Sequence, residues 1–122
     1  MKVTFIEYPK CSTCRKAKKW LQDNNIDFID RVINEDNPKK EELKLWLDKS
    51  GLPINKFFNT SGRLYKELNL KDKVKTASED ELLEILSTDG MLVKRPILIK
   101  DDTVLVGFKE DQWEEDVKNI SL

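Results

Sequence analysis

The amino-acid sequence predicts an α/β fold: a mixed four-stranded sheet flanked by helices, with an all-helical insertion between the second and third strands. Three features carry that reading. A β-branched and aromatic run at residues 2–7 turns into a helical pattern at Cys11 and Cys14, the only two cysteines. A second strand-like run, residues 28–33, follows that helix. About 50 residues of helical pattern then intervene before two further apolar runs return.

Each element has its own signal. From Ser12 the spacing becomes helical, with Cys14, Ala17 and Leu21 on one face and Trp20 beside it. Asp23, Asn24 and Asn25 end the pattern. The strand, helix and strand form a βαβ unit, right-handed if the strands are parallel. After a polar loop at 34–37, Asn37 and Pro38 read as the cap and first residue of the next helix. Leu43, Trp46, Leu47 and Ser50 share its inner face, and Gly51 with Pro53 stops it.

The middle of the chain carries no strand pattern. Residues 56–58 read as a short helical turn packing on the core. Residues 61–68 read as a short helix with Leu64, Tyr65 and Leu68 inward. Ser78 followed by Glu81 is a capping box, and Leu82, Leu83, Ile85 and Leu86 continue that helix to Asp89 and Gly90. Strands return at 96–99 and 103–106 around an acidic turn, Asp101 and Asp102, which makes a hairpin. A last helix carries Trp113, Val117 and Ile120 on one face. The whole chain, 1–122, reads as one domain with the insertion at about 38–92.

The chemistry sits at the strand-to-helix turn. A C-x-x-C at such a junction, in a chain otherwise free of cysteine, reads as a redox pair. A thiol attacks only as its thiolate. Cys11 falls at or just before the first helical turn, where unpaired N–H groups favour an anion. Arg15 and Lys16 add full charges nearby, and Lys10 precedes. Cys14 lies one turn on, on the same side and against the apolar face. That makes Cys11 the better nucleophile and Cys14 the resolving thiol. Ser12 and Thr13 offer hydroxyls to the same turn, as caps or as contacts to a substrate.

Other roles for the cysteines fit less well. Cys14 could be only a small buried hydrophobe. A zinc half-site lacks partners, since the chain has no histidine and no third cysteine. A static disulfide closing so short a loop removes little unfolded-state entropy. The absence of histidine also excludes Ser-His and Cys-His nucleophilic pairs. The 22 basic and 23 acidic residues nearly cancel, which gives no global case for nucleic acid or an anionic membrane. With no leader pattern and no membrane-length apolar run, the expected setting is the cytoplasm, where thiols are kept reduced.

The four strands, the C-x-x-C at the first βα turn and the proline opening the third strand resemble a thioredoxin-like fold. With the insertion, the chain resembles the arsenate reductase (ArsC)/Spx family over essentially its full length. The matching pieces are residues 8–17 (YPKCSTCRKA), 64–69 (LYKELN) and 94–99 (KRPILI). The resemblance implies that Cys11 is the nucleophile, that Arg95 lies near it, and that Pro96 is cis and faces the cysteine turn. Together with the reading of the turn itself, the expected catalytic set is Cys11, Cys14 and Arg95, and the expected substrate contacts are Ser12, Thr13, Arg15 and Pro96. No cofactor and no metal are implied.

The same comparison separates two branches. Arsenate reductases of this family surround an oxyanion with three arginines, and only Arg95 matches. Asn59 or Thr60 stands at the second position, with Arg63 a few residues late, and Gly107 stands at the third. The C-x-x-C and the segment 106–108 look closer to the Spx/MgsR-like branch. The expected function is therefore a thiol–disulfide oxidoreductase, arsenate-reductase-like, served by thioredoxin, glutaredoxin or a low-molecular-weight thiol. The alternative is a redox-sensing transcriptional regulator that binds the C-terminal domain of the RNA polymerase α subunit. In Spx that contact includes a glycine after the second helix, for which Gly51 is the nearest match, with Pro53 as its rival. A monomer is expected, with no direct nucleic-acid or membrane contact.

Overall fold

The computed structural model describes residues 3–118. Lys2 and Ile120, assigned above to the first strand and last helix, lie outside those residues. The chain divides into two compact units, one formed by Met1–Val32 with Arg95–Leu122 and the other by Ile33–Lys94.

The first unit holds a thioredoxin-like mixed sheet in the order β2-β1-β3-β4. Strand β1 (Val3–Glu7) lies parallel to β2 (Phe28–Val32), with Val3 opposite Phe28 and Glu7 opposite Val32. On its other side β1 runs antiparallel to β3 (Ile97–Lys100), which pairs antiparallel with β4 (Thr103–Val106). The helix between the first two strands, α1 (Ser12–Asp23), buries Cys14, Ala17, Trp20 and Leu21, the stripe expected from their spacing. Alternation along β1 turns Val3 and Phe5 to the same side as Ala17, Trp20 and Leu21. Leu98, Leu105, Trp113 and Val117 complete that core. Trp113 meets Phe5, Trp20 and Phe108 edge to face, with centroids 6.4, 5.8 and 4.8 Å away. Each such contact contributes about 0.5–1.5 kcal/mol beyond area burial. Trp113 stands at the end of the last α-helical segment (Glu110–Trp113), which continues as a π-helical turn over Glu114–Lys118.

The second unit is helical. It comprises α2 (Lys40–Ser50), a 3₁₀ turn (Ile54–Phe57), α3 (Arg63–Glu67), α4 (Leu70–Thr76), α5 (Glu79–Thr88) and a second 3₁₀ turn (Gly90–Leu92). Leu43, Trp46 and Leu47 of α2 are buried, as are Leu82, Leu83 and Leu86 of α5. The Ser78 hydroxyl accepts from the Glu81 N–H at 3.2 Å, as its position predicts.

Two expectations fail here. Asn37 does not cap α2: it stands three residues before Lys40, and its Nδ2 donates to the Ser87 carbonyl at 2.8 Å. The helix begins later, behind Lys39, whose N–H donates to the Glu42 carboxylate at 3.0 Å. Leu68 is not inward but 52% exposed. Helix α3 ends at Glu67, and Asn69 takes a left-handed backbone (φ 53°) that turns the chain into α4 and buries Leu70 instead. Among the described residues, no helix is long and apolar enough to cross a membrane.

Candidate functional site

The end of β1 feeds residues 8–10 into the start of α1. The Cys11 N–H donates to the Tyr8 carbonyl at 2.9 Å, which closes the turn. Cys11 is itself the N-cap of α1, with extended backbone (φ −86°, ψ 123°). Its sulfur accepts from the Cys14 N–H at 3.4 Å, where a serine or aspartate oxygen more often sits. Ser12 and Thr13 therefore lie inside the first turn and not at the cap, with exposed side chains, as does Arg15. No acid stands in that turn, so its partial positive charge meets no fixed carboxylate there.

The third member arrives from β3. The β1–β3 ladder pairs Ile6 with Ile97, and continuing it brings the residues before Ile97 alongside the cysteine turn. The Arg95–Pro96 bond is cis, and Pro96 is buried. The Pro96 carbonyl accepts from the Gly107 N–H at 2.8 Å. Gly107 has φ 80°, so an arginine there would carry backbone strain. The guanidinium carbon of Arg95 stands 5.0 Å from the Tyr8 ring centroid.

These placements drive the two thiols apart. Burial raises the Cys11 pKa, but that effect is outweighed. The Cys14 N–H and thiol, the charge of Arg95 and the Thr13 N–H together hold Cys11 below its ordinary value. Cys14 is fully buried, and burial pushes its thiol up to about 12, with the neighbouring Cys11 adding to the rise. A backbone hydrogen bond from Tyr8 and the Arg95 charge offset part of that. Both cysteines are unbonded thiols in this structure.

Of the residues singled out from the sequence, Cys11, Cys14 and Arg95 come together, with Pro96 next to Arg95. Ser12, Thr13 and Arg15 rim the same turn. Two neighbours escaped the sequence reading. One is Tyr8, whose ring meets Arg95. The other is Glu7, which is 2% exposed at the end of β1. Lys18 of α1 reaches Glu7 at 3.3 Å and Asp30 of β2 at 2.7 Å. Burial, with the Asp30 carboxyl adding, lifts Glu7 to about 7 against the opposing pull of Lys18. A signal for it was present: Val3 and Phe5 alternate inward, and Glu7 continues their face. Among the described residues, no group of three or more thiol and acidic side chains could hold a metal ion.

Comparison with known proteins agrees with this geometry. The sequence model of the ArsC family matches residues 6–115. YusI of Bacillus subtilis, an uncharacterized protein, is 57% identical over 115 residues, covering 94% of this chain and 98% of that protein. The regulatory protein MgsR of B. subtilis is 34% identical, covering 87% of this chain and 82% of its own. The global transcriptional regulator Spx of Enterococcus faecalis is 34% identical, covering 98% and 92%. Among solved structures, a protein from Bacteroides fragilis described as ArsC family related superposes with a TM-score of 0.91 at 56% identity, covering 94% and 97%. An arsenate reductase from Vibrio cholerae superposes with a TM-score of 0.82 at 28% identity, covering 97% of each chain.

Proposed function

The chain belongs to the ArsC family, and from that premise we propose that it is a cytoplasmic thiol–disulfide oxidoreductase working through Cys11 and Cys14. The observation that carries this reading is the placement of two thiols in one helical turn, Cys11 at the N-cap accepting from the Cys14 N–H and Cys14 fully buried behind it. Cys11 is held toward its thiolate, while Cys14 is kept protonated by burial. The first is suited to attack and the second to waiting.

The reaction runs in two exchanges. The Cys11 thiolate attacks one sulfur of a substrate disulfide; a mixed disulfide forms and the other substrate sulfur leaves as a thiolate. Cys14 then loses its proton and attacks the Cys11 sulfur, releasing the second substrate thiolate. The substrate gains two electrons and the protein holds a Cys11–Cys14 disulfide. A dithiol such as thioredoxin, or two equivalents of a low-molecular-weight thiol, reopens it. Arg95 stabilises the attacking thiolate and Cys11 again when it is the leaving group. Ser12, Thr13 and Arg15 rim the sulfur on the exposed side, suited to polar contacts with an incoming substrate. Pro96 forms its buried wall. One arginine at this sulfur gives arsenate weak support, because each paired guanidinium contributes separately to holding a dianion.

The test is mild oxidation with diamide, followed by mass spectrometry and by reduction with thioredoxin and its reductase. The expected result is a monomer lighter by two hydrogens that recovers both thiols. Two free thiols after diamide would sink the proposal.

One observation favours a second reading, a redox switch of the Spx/MgsR kind. The sulfur that reacts is also the sulfur that caps α1. A Cys11–Cys14 bond would change that cap, and so the start of the helix, in step with redox state. The polymerase contact would then fall near Gly51, an exposed left-handed residue (φ 69°) closing α2, with exposed Leu52 and Pro53 after it. Capture of the RNA polymerase α subunit by one redox form only would support the switch. Equal absence from both forms would leave the oxidoreductase.

A further inference from the structure

We infer that Tyr8 is the positioning residue of this site: its ring holds the Arg95 guanidinium at the Cys11 sulfur. The inference rests on the reading of Cys11 as the nucleophile and assigns a role to a residue which that reading leaves unused. The geometry begins with register. The antiparallel ladder pairs Thr4 with Ile99, Phe5 with Leu98 and Ile6 with Ile97. Tyr8 follows directly on β1 and Arg95 stands two residues before β3, so the two side chains meet just beyond the end of that ladder. The guanidinium carbon lies 5.0 Å from the ring centroid, within the range of a cation–π contact.

Tyr8 meets the cysteine turn through its main chain and Arg95 through its ring. Its carbonyl accepts the Cys11 N–H at 2.9 Å, and its backbone counters part of the rise at the Cys14 thiol. Both effects belong to the main chain and survive a change of side chain. Of Tyr8, it is the ring that bears on Arg95. An arginine side chain carries about 2 kcal/mol of rotamer entropy, so a guanidinium with no surface beneath it samples many positions. Against a flat ring it keeps its charge where the thiolate forms. The hydroxyl plays no part in this, which separates the role from a proton donor's.

The experiment measures the pH dependence of Cys11 alkylation by iodoacetamide in the full chain, with Cys14→Ser in every arm so that one thiol reports. The arms are the parent, Tyr8→Phe, Tyr8→Leu, Arg95→Ala and the double variant Tyr8→Leu/Arg95→Ala. Tyr8→Leu is expected to raise the Cys11 midpoint by about 0.5–1 pH unit, the equivalent of a partly exposed cation–π contact. Tyr8→Phe keeps the ring and should keep the parent midpoint. The double variant should lie no higher than Arg95→Ala alone, because the ring acts through the arginine. Tyr8→Met, unbranched and without a ring, gives a second reading if leucine disturbs the fold. An unmoved Tyr8→Leu and Tyr8→Met beside a shifted Arg95→Ala overturns this inference alone. So does a Tyr8→Phe midpoint as high as that of Tyr8→Leu, or full additivity in the double variant. An unmoved Arg95→Ala overturns the inference together with the role of Arg95, and a Cys11 midpoint at or above 9.0 in the parent overturns the nucleophile assignment itself.

Discussion

Replacing Glu7 by glutamine should abolish a loss of stability that the native protein suffers between about pH 5 and 7. Glu7 is 2% exposed and faces Asp30 and Lys18. Its carboxyl is lifted from 4.5 to about 7. Between those values the folded chain holds a proton that the unfolded chain has released. Stability therefore falls as pH rises through that window and levels off above about 7. At about 1.36 kcal/mol per pH unit, the loss reaches up to about 3 kcal/mol. That is a large share of the 5–15 kcal/mol that usually holds a domain of this size.

Glutamine imitates the protonated acid. Its Nε2–H can donate to Asp30 as the carboxyl proton does, and its Oε1 can accept from Lys18. Glu7→Gln should match the native chain at pH 5 to within about 1 kcal/mol, the usual size of one hydrogen bond, and exceed it at pH 7.5. The assay is urea unfolding at half-unit steps of pH, extrapolated linearly to water. The chain has no histidine to titrate across that window. Cys11 acts with the opposite sign: its pKa is lowered in the fold, so its contribution grows as pH rises. Cys11→Ser in both arms removes it. Parallel curves for the native and Glu7→Gln chains, or a native curve flat from pH 5 to 7.5, would refute the argument.

Two further outcomes are expected. In single-thiol variants, Cys11 should titrate below 9.0 while Cys14 resists alkylation until pH approaches about 12, and reversal of that order would exchange nucleophile and resolving thiol. Gly90→Ala should lose about 1–3 kcal/mol by the same urea assay, because an added Cβ collides with the Ile33 carbonyl and lies 2.9 Å from the Asn37 Oδ1; an unchanged midpoint would show that the backbone there can give way.

How much of this was legible in the sequence depended on the range of the interaction. Helix α1 was readable because a continuous apolar stripe at helical spacing needs no partner to be seen. The β3–β4 hairpin was readable for the same local reason. Helix α4 was not, since residues 70–76 bury only Leu70 and show no stripe. The start of α2 was misplaced because Asn37 followed by Pro38 is a sound local cap signal, while the helix starts behind Lys39, whose N–H donates to the Glu42 carboxylate, and the Asn37 amide bonds a carbonyl 50 residues away. Cys11 and Cys14 announced themselves by spacing. Arg95 was legible only through family resemblance, since nothing local distinguishes an arginine ahead of a strand. Tyr8 and Glu7 owe their roles to strand register and burial, which exist only once β1 has neighbours.

The phase of the cysteine pair against the helix matters as much as its spacing. Cys11 occupies the one position whose side chain can accept from the first turn while its own backbone stays outside the helix. Three residues on, Cys14 supplies the N–H that bonds to the Cys11 sulfur, and its side chain falls on the buried stripe with Ala17 and Leu21. One backbone unit thus favours the thiolate at Cys11 and buries the thiol at Cys14. Moving the pair one residue toward the C-terminus would put the first sulfur inside the helix and the second at the exposed position of Arg15. The C-x-x-C spacing would be intact, and the difference between the two thiols would be lost. The division of labour therefore comes from where the helix starts, and the strand-to-helix turn at residues 8–10 fixes that start through the Cys11 N–H to Tyr8 carbonyl bond.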